Sequence, residues 1–280
     1  MGLINNILPN KLKPLSRDIG FTIRCLIYKF RSIRYNSNLS PIFILGNQKS
    51  GTSAIASLLG KMSTQKTSID LLYSGFYFRL FKQWKQNKIS TKQFIQINKL
   101  DFSNKIIKEP HLSVFYNELN KEYTQAKFVM IVRNPYNNIR SILDRLKIQG
   151  NKIDLDNNDK RKIFHSWNLL FDNHWINGNE INYIKCLAER WNIITNIYLE
   201  NQDNIILLKY EDFLKDKTNT IIQLCKQLGL EQKVDISEYL NTQYQPKGKN
   251  KNMPLDEFFG KENFQKITNI CQKNMKKLGY

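Results

Sequence analysis

Pro41-Ile42-Phe43-Ile44-Leu45-Gly46 is a short apolar run closed by a glycine. It leads without interruption into a stretch of small and polar residues, Asn47 to Ser53, and then into Ala54-Ile55-Ala56-Ser57-Leu58-Leu59, with Gly60 behind it. An apolar run of this length bounded by turn residues reads as a buried strand, and the second apolar segment reads as a helix. Strand, small-residue loop, helix is the unit that most narrows what the chain can become, because a strand followed at once by a helix belongs to layered α/β architecture.

The rest of the chain repeats the alternation. Helical patterns cover Phe76 to Lys85 and Thr91 to Leu100, and Lys105-Ile106-Ile107-Lys108 is a second short strand ended by Glu109-Pro110. Lys127-Phe128-Val129-Met130-Ile131-Val132 is the strongest strand pattern, followed by Asn134 and Pro135 as helix N-cap and first helical residue. The helix after it places Ile139, Ile142, Leu143 and Leu146 on one face. Beyond an Asn/Asp-rich loop at 149–159, helical patterns cover 160–173 and 181–200. Asn204 to Leu208 forms another strand and Thr218 to Leu228 a helix ended by Gly229. A Lys/Asn/Pro-rich loop at 241–254 precedes a last helix from Glu262 to Lys277. The expected fold is α/β, a central and mainly parallel sheet flanked by helices. Residues 41–280 form its single domain, and residues 1–40 are a basic amphipathic extension.

That extension holds seven Lys/Arg against one acid, Asp18, and its Ile23, Leu26, Ile27, Phe30 and Ile33 recur at helical spacing. A stripe of this kind packs on the domain, as in most globular helices, or lies on anionic lipid, with residues 19–34 as the contact. The whole chain carries a net charge of +19. Such a surplus suits nucleic acid, a membrane surface, an acidic polymer or a polyphosphorylated small molecule, and it also follows from a chain rich in Lys, Asn and Ile throughout. No apolar run nears the ~18 residues needed to span a bilayer. The four cysteines stand far apart, as reduced thiols do, and with the three histidines they make no metal-ligand spacing. No metal site is expected. Residues 1–20 lack the apolar core of a signal peptide, so a cytoplasmic location is expected, with peripheral attachment to a membrane as an addition.

The loop Asn47-Gln48-Lys49-Ser50-Gly51-Thr52-Ser53 has the residues an anion needs. Small side chains let backbone N–H groups close around a phosphate, the helix N-terminus adds partial positive charge, and Lys49 adds a full one. It departs from the nucleoside-triphosphatase loop, because its lysine precedes the second glycine. Where such enzymes carry a metal-binding acid after a neighbouring strand, this chain has Arg133. Arg133 with Ser141, eight residues on, suits a second phosphate.

Taken together, these segments resemble the sulfotransferases that use 3′-phosphoadenosine 5′-phosphosulfate (PAPS). GNQKSGTS is similar to that family's 5′-phosphosulfate motif, and FVMIVRNPYNNIRSIL to its 3′-phosphate motif. IIKEPHLSVF resembles the short Lys-x-Pro strand of its carbohydrate members, NIILLKYEDFLKDKTNTIIQLCKQLGL its later strand, turn and helix, and PKGKNKNMP its C-terminal basic loop. The resemblance implies a P-loop-like fold and PAPS as co-substrate without metal. It implies that Asn47, Gln48, Lys49, Ser50, Gly51, Thr52 and Ser53 hold the 5′-phosphosulfate. Arg133 and Ser141 would hold the 3′-phosphate, and Lys247, Gly248 and Lys249, with Lys251, would close over the nucleotide or catch an anionic acceptor. Lys49 and Lys108 are the expected catalytic cations. The acceptor's proton has three candidate bases: His111 ranks first, since histidine titrates near neutrality, then Glu109, then Asp70. Tyr210-Glu211-Asp212-Phe213 is expected to shape its turn rather than do chemistry. The implied acceptor is a carbohydrate or lipid-linked sugar bearing a hydroxyl or amine. The competing readings are a kinase or nucleotide hydrolase, and a polyanion binder in which charge alone attracts nucleic acid. The cytosolic and carbohydrate patterns are mixed here, and oligomeric state is not legible.

Overall fold

The computed structural model describes residue 23 and residues 26–244 and 248–280. Five strands run through it: β1 (Ile42–Gly46), β2 (Thr67–Ile69), β3 (Ile106–Lys108), β4 (Lys127–Val132) and β5 (Ile205–Lys209). They form one sheet in the order β2-β3-β1-β4-β5, and every pairing is parallel. Phe43 in the central strand lies opposite Ile107 on one side and Phe128 on the other.

The sheet is parallel because its strands are apolar on both faces, and helices must cover both. In β1, Phe43 and Leu45 enter one core layer while Ile42 and Ile44 enter the other. Helices Thr52–Ser63 and Lys217–Leu228 cover the Ile42 side, through Ile55, Leu59, Ile221 and Leu224. Helices Pro135–Leu146, Tyr183–Glu200 and Leu255–Lys277 cover the Phe43 side, through Ile139, Leu143, Leu187, Trp191 and Ile267. That larger layer extends into an aromatic stack in which Trp84 lies 3.8 Å from Phe115 and 4.3 Å from Phe94. With all strands pointing one way, the ends of β1, β2, β3 and β4 open on a single edge. Open α/β sheets bind their ligands at that edge.

Most elements fall where the residue pattern puts them, with Asn134 capping the helix that Pro135 begins. Four differ. The polar triplet Thr67–Ile69 is an edge strand, held by its pairing with β3 rather than by its own apolar content. The expected Phe76–Lys85 helix is two, Leu72–Phe76 and Arg79–Lys85, because Tyr77 between them leaves helical geometry. The expected 160–173 helix is a helix at Asn157–Lys162, capped by Asp156, and a 3-10 stretch at His165–Leu170, parted by extended residues and by His165 at φ 48°. The last helix begins at Leu255 and breaks at Gly260 (φ 67°, ψ 161°).

The extension departs most from a globular helix. Residues 26–32 are helical. Tyr28 turns inward at 2% exposure, yet Ile23, Leu26, Ile27, Phe30 and Ile33 all stand in solvent. The stripe therefore does not pack on the domain. Among the described residues no helix is long and apolar enough to cross a membrane.

Candidate functional site

The turn between β1 and the helix Thr52–Ser63 is built on two glycines whose backbones other residues cannot copy. Gly46 has φ 138°, and a Cβ there would sit 2.4 Å from the Ile131 carbonyl oxygen of β4. Gly51 has φ 88°, and a Cβ there would sit 2.3 Å from the Tyr210 ring. Between them Lys49 is also left-handed, at φ 65°. Asn138, fully buried on the helix Pro135–Leu146, holds the turn: its Nδ2 donates to the Gln48 carbonyl (2.7 Å) and the Ser50 hydroxyl (3.0 Å). Its Oδ1 accepts from Asn47 Nδ2 (2.9 Å). The side chains of Asn47 and Ser50 are thus turned inward as braces, a correction to their expected place around the ligand. Gln48, Lys49, Gly51, Thr52 and Ser53 face the cavity. The helix that starts at Thr52 has no side-chain cap, whereas Asn134 caps its neighbour, so its first N–H groups are left for a ligand.

The second motif meets the first directly. Arg133 Nη1 donates to the Lys49 carbonyl (2.7 Å), and its guanidinium lies 4.7 Å from the centre of the Tyr210 ring. Tyr210 therefore supports both the glycine turn and the arginine. Its neighbour Glu211 accepts from the Asn134 backbone N–H (3.0 Å) and the Tyr280 hydroxyl (2.8 Å). The turn is thus a scaffold, as its sequence suggests. Ser141 faces the same cavity as Arg133. Burial, then the charges of Arg145 and Arg133, bring Lys49 down to about 8. Crowding of cations in a half-closed space is what a polyanion relieves.

In the basic loop, Gly248 and Lys251 reach the cavity wall, while Lys249 is exposed and does not. Of the lysines expected to close over the nucleotide, Lys251 lines the cavity and Lys249 does not. Asn250 Nδ2 ties this loop to Asp144 at 2.6 Å. Lys247 lies outside the described residues.

At the far end of the cavity stand Asp70, Lys108, Glu109 and His111. Lys108, 3% exposed, pairs with Asp70 Oδ1. Asp70 ends β2 in a left-handed conformation (φ 62°), and more than half of its side chain is exposed. Glu109 is buried, and its two oxygens accept from the backbone N–H groups of His111 (3.0 Å) and Leu71 (3.2 Å). Burial, then the charge of Asp70, raises Glu109 to about 7. His111 is buried against Arg190, whose Nη2 lies 3.2 Å from His111 Nδ1. A guanidinium only donates, so Nδ1 is the acceptor in that contact, and the Gln48 amide nitrogen lies 3.2 Å from Nε2. Burial, Arg190 and Lys108 together push His111 well below its ordinary value. Its buried and weakened basicity removes the reason for ranking it first as a base.

Two residues that hold this site together escape motif reading. Arg190 is fully buried, its charge favoured by the nearby Glu109 carboxylate, and Asn138 is buried on an amphipathic helix. Each is legible as a polar residue on a stripe of apolar ones: Arg190 beside Leu187 and Trp191, Asn138 beside Ile139 and Ile142.

Lys49, Thr52, Arg133, Ser141, Asp70 and Lys108 line one cavity of about 780 Å³. Among the described residues, no group of three His, Cys, Asp or Glu is arranged to hold a metal ion.

A parallel sheet with a glycine turn and an arginine at its open edge defines an anion-binding α/β protein. Residues 39–257 match the family described as "Sulfotransferase domain", and the chain belongs to that family of sulfonate-transferring enzymes. No curated protein matches the chain. Among solved structures, a sulfotransferase of Mycobacterium avium is similar at TM-score 0.52 and 10% identity, covering 86% of this chain and 77% of that one. One from Alicyclobacillus acidocaldarius is similar at TM-score 0.46 and 16% identity, covering 83% and 96%. A mouse sulfotransferase complexed with PAP is similar at TM-score 0.47 and 15% identity, covering 86% of each chain. At 10% identity the likeness to the Mycobacterium avium structure is one of fold alone.

Proposed function

We propose that the sulfonate comes from PAPS and goes to a hydroxyl or amine of a glycan or glycolipid. The observation that carries this reading is the joining of the two anion motifs. Arg133 holds the Lys49 carbonyl, so a loop suited to one phosphate and an arginine suited to another share one cavity. The residues fit a doubly phosphorylated adenosine, because Lys49 is depressed by burial and then by neighbouring cations, and the helix after Gly51 is uncapped. Gln48, Lys49, Gly51, Thr52 and Ser53 would hold the 5′ end. Arg133 and Ser141 would hold the 3′-phosphate, and Gly248 and Lys251 would close over it.

Bound there, PAPS supplies an activated sulfonate with a phosphate leaving group. Lys49 and the first N–H groups of the helix Thr52–Ser63 stabilise the negative charge that gathers on that phosphate. Lys108 orients Asp70 and would neutralise sulfonate oxygens of the bound donor. Asp70 is our base: its Oδ1 is held by Lys108, its Oδ2 has no protein hydrogen bond among the described residues, and it is exposed to the cavity. Glu109 and His111 position the strand end around it. Much of the remaining catalysis is orientation. Trp167 and the amides of Asn241 and Gln243 on the cavity wall suit a sugar, which offers an apolar face ringed by hydroxyls.

Thermal melting tests the assignment. 3′-Phosphoadenosine 5′-phosphate should raise the melting temperature, as any ligand of the native state must, while ATP with Mg²⁺ should raise it far less. The reverse order would replace this reading with a kinase or nucleotide hydrolase.

A further inference from the structure

The helix at residues 26–32 is fixed to the body on one side and bare on the other. Tyr28 fixes it: its hydroxyl donates to Asp101 Oδ2 (3.0 Å) and accepts from the Asp101 backbone N–H (3.2 Å). The same Oδ2 accepts from the Leu72 backbone N–H (3.1 Å), and Asp101 Oδ1 accepts from the Ser68 hydroxyl (3.3 Å). One carboxylate thus ties the helix to both flanks of Asp70. Lys29 adds a cation–π contact with Tyr73, at 5.3 Å.

The bare side is apolar and basic together. Leu26 (62%), Ile27 (52%), Phe30 (73%) and Ile33 (73%) are exposed beside Lys29, Arg31 and Arg34. Exposed apolar side chains recur at Ile69 and Leu72, which flank the cavity-lining Asp70 in the chain, and at Tyr77. No Asp or Glu occurs from residue 19 through residue 69, so no acid interrupts the basic character of the segment.

We infer that this face docks on an anionic lipid bilayer, with the rim around Asp70 turned toward the headgroup layer. The chemistry selects that occupant. A second copy would bring the same cations to the contact, and two chains of net charge +19 repel. A nucleic-acid backbone matches the cations and leaves Leu26, Ile27, Phe30 and Ile33 in water. A bilayer with acidic headgroups takes the side chains into its acyl boundary and the cations at its surface. The docking stands apart from the sulfonate-transfer reading, and its bearing on the acceptor rests on that reading: an acceptor hydroxyl carried at headgroup depth would lie at the mouth.

Sedimentation with vesicles tests the docking without donor or acceptor. The full chain should sediment with vesicles of phosphatidylserine and phosphatidylcholine in equal parts, and remain in solution with phosphatidylcholine alone. The double variant Phe30→Glu, Ile33→Glu should bind the acidic vesicles roughly ten-fold less or weaker still. It should melt like the parent and keep its response to 3′-phosphoadenosine 5′-phosphate, which marks the loss as a surface effect. Equal binding by parent and variant, or no binding by the parent, overturns the inference. So does a parent that is dimeric by light scattering and becomes monomeric in the variant. For orientation, an environment-sensitive dye on Leu72→Cys, in a Cys25→Ser background, should shift to the blue when acidic vesicles are added. An unshifted dye on a bound protein overturns the placement of the mouth.

Discussion

Glu109→Gln should change stability in opposite directions at the two ends of the pH range. In the folded chain Glu109 is held at about 7 by burial and then by the charge of Asp70, against an ordinary value of 4.5. From 4.5 up to about 7 the unfolded chain has lost the proton that the folded chain still holds. Stability from this group is therefore complete below 4.5 and is lost as pH rises through about 7. At about 1.4 kcal/mol per pH unit, that window is worth ~3 kcal/mol. Glutamine has no proton to lose. It retains one acceptor for the two backbone N–H groups of His111 and Leu71, at a pH-independent cost of ~1 kcal/mol. The variant should be less stable than the parent by ~1 kcal/mol near pH 4.5 and more stable by ~2 kcal/mol near pH 8. For a chain this long roughly 2 °C accompanies each kcal/mol, so the difference in melting temperature should swing by ~6 °C and change sign. His111 runs the other way, because its folded value lies below the ordinary one and stability falls as pH drops below 6.5. It is present in both proteins and cancels from the difference. Scanning calorimetry of both proteins across this range is the assay, and a constant difference would refute the reasoning.

Three further outcomes follow from the site. Lys49→Ala should lower turnover by ~10²- to 10³-fold with little change in acceptor KM, because the lost charge serves the leaving phosphate; steady-state kinetics at saturating donor checks it. Gly51→Ala should cost ~1–3 kcal/mol by urea unfolding, since φ 88° is strained for alanine and the Tyr210 ring stands where its Cβ must go. Equal stability would mean that the turn relaxes freely. Asp70→Asn should lower turnover by ~10²- to 10⁴-fold and leave nucleotide affinity intact, with Glu109 and His111 unable to substitute; a nearly normal rate would return the base to one of them.

The frame of this fold is legible in the residues because β1 and β4 are apolar on both faces, which only a parallel sheet covered by helices satisfies. Gly46 and Gly51 mark the turn for the same local reason. Long-range contacts are harder to read. Nothing near Asn47 or Ser50 indicates that Asn138, on another helix, turns both inward. Lys49 and Arg133 read as belonging to separate phosphates, and their direct contact depends on the register of β1 with β4. His111 looks like the natural base until Arg190, nearly eighty residues away, is found against its Nδ1. The basic loop shows the same limit: its lysines are equal candidates in the residues, and what the loop is tied to sets that Lys251 and not Lys249 reaches the wall. Exposure of Phe30 and Ile33 depends on which face Tyr28 anchors, and helical spacing alone leaves that face open.

The claim that one nucleotide bridges the loop and Arg133 is tested most directly by a calorimetric cycle. Binding of 3′-phosphoadenosine 5′-phosphate and of adenosine 5′-phosphate is measured for the parent and for Arg133→Ala. The account predicts that the parent prefers the doubly phosphorylated compound by at least ~10-fold and that the preference nearly vanishes in the variant. A preference of the same size in both proteins would place the 3′-phosphate away from Arg133 and contradict it.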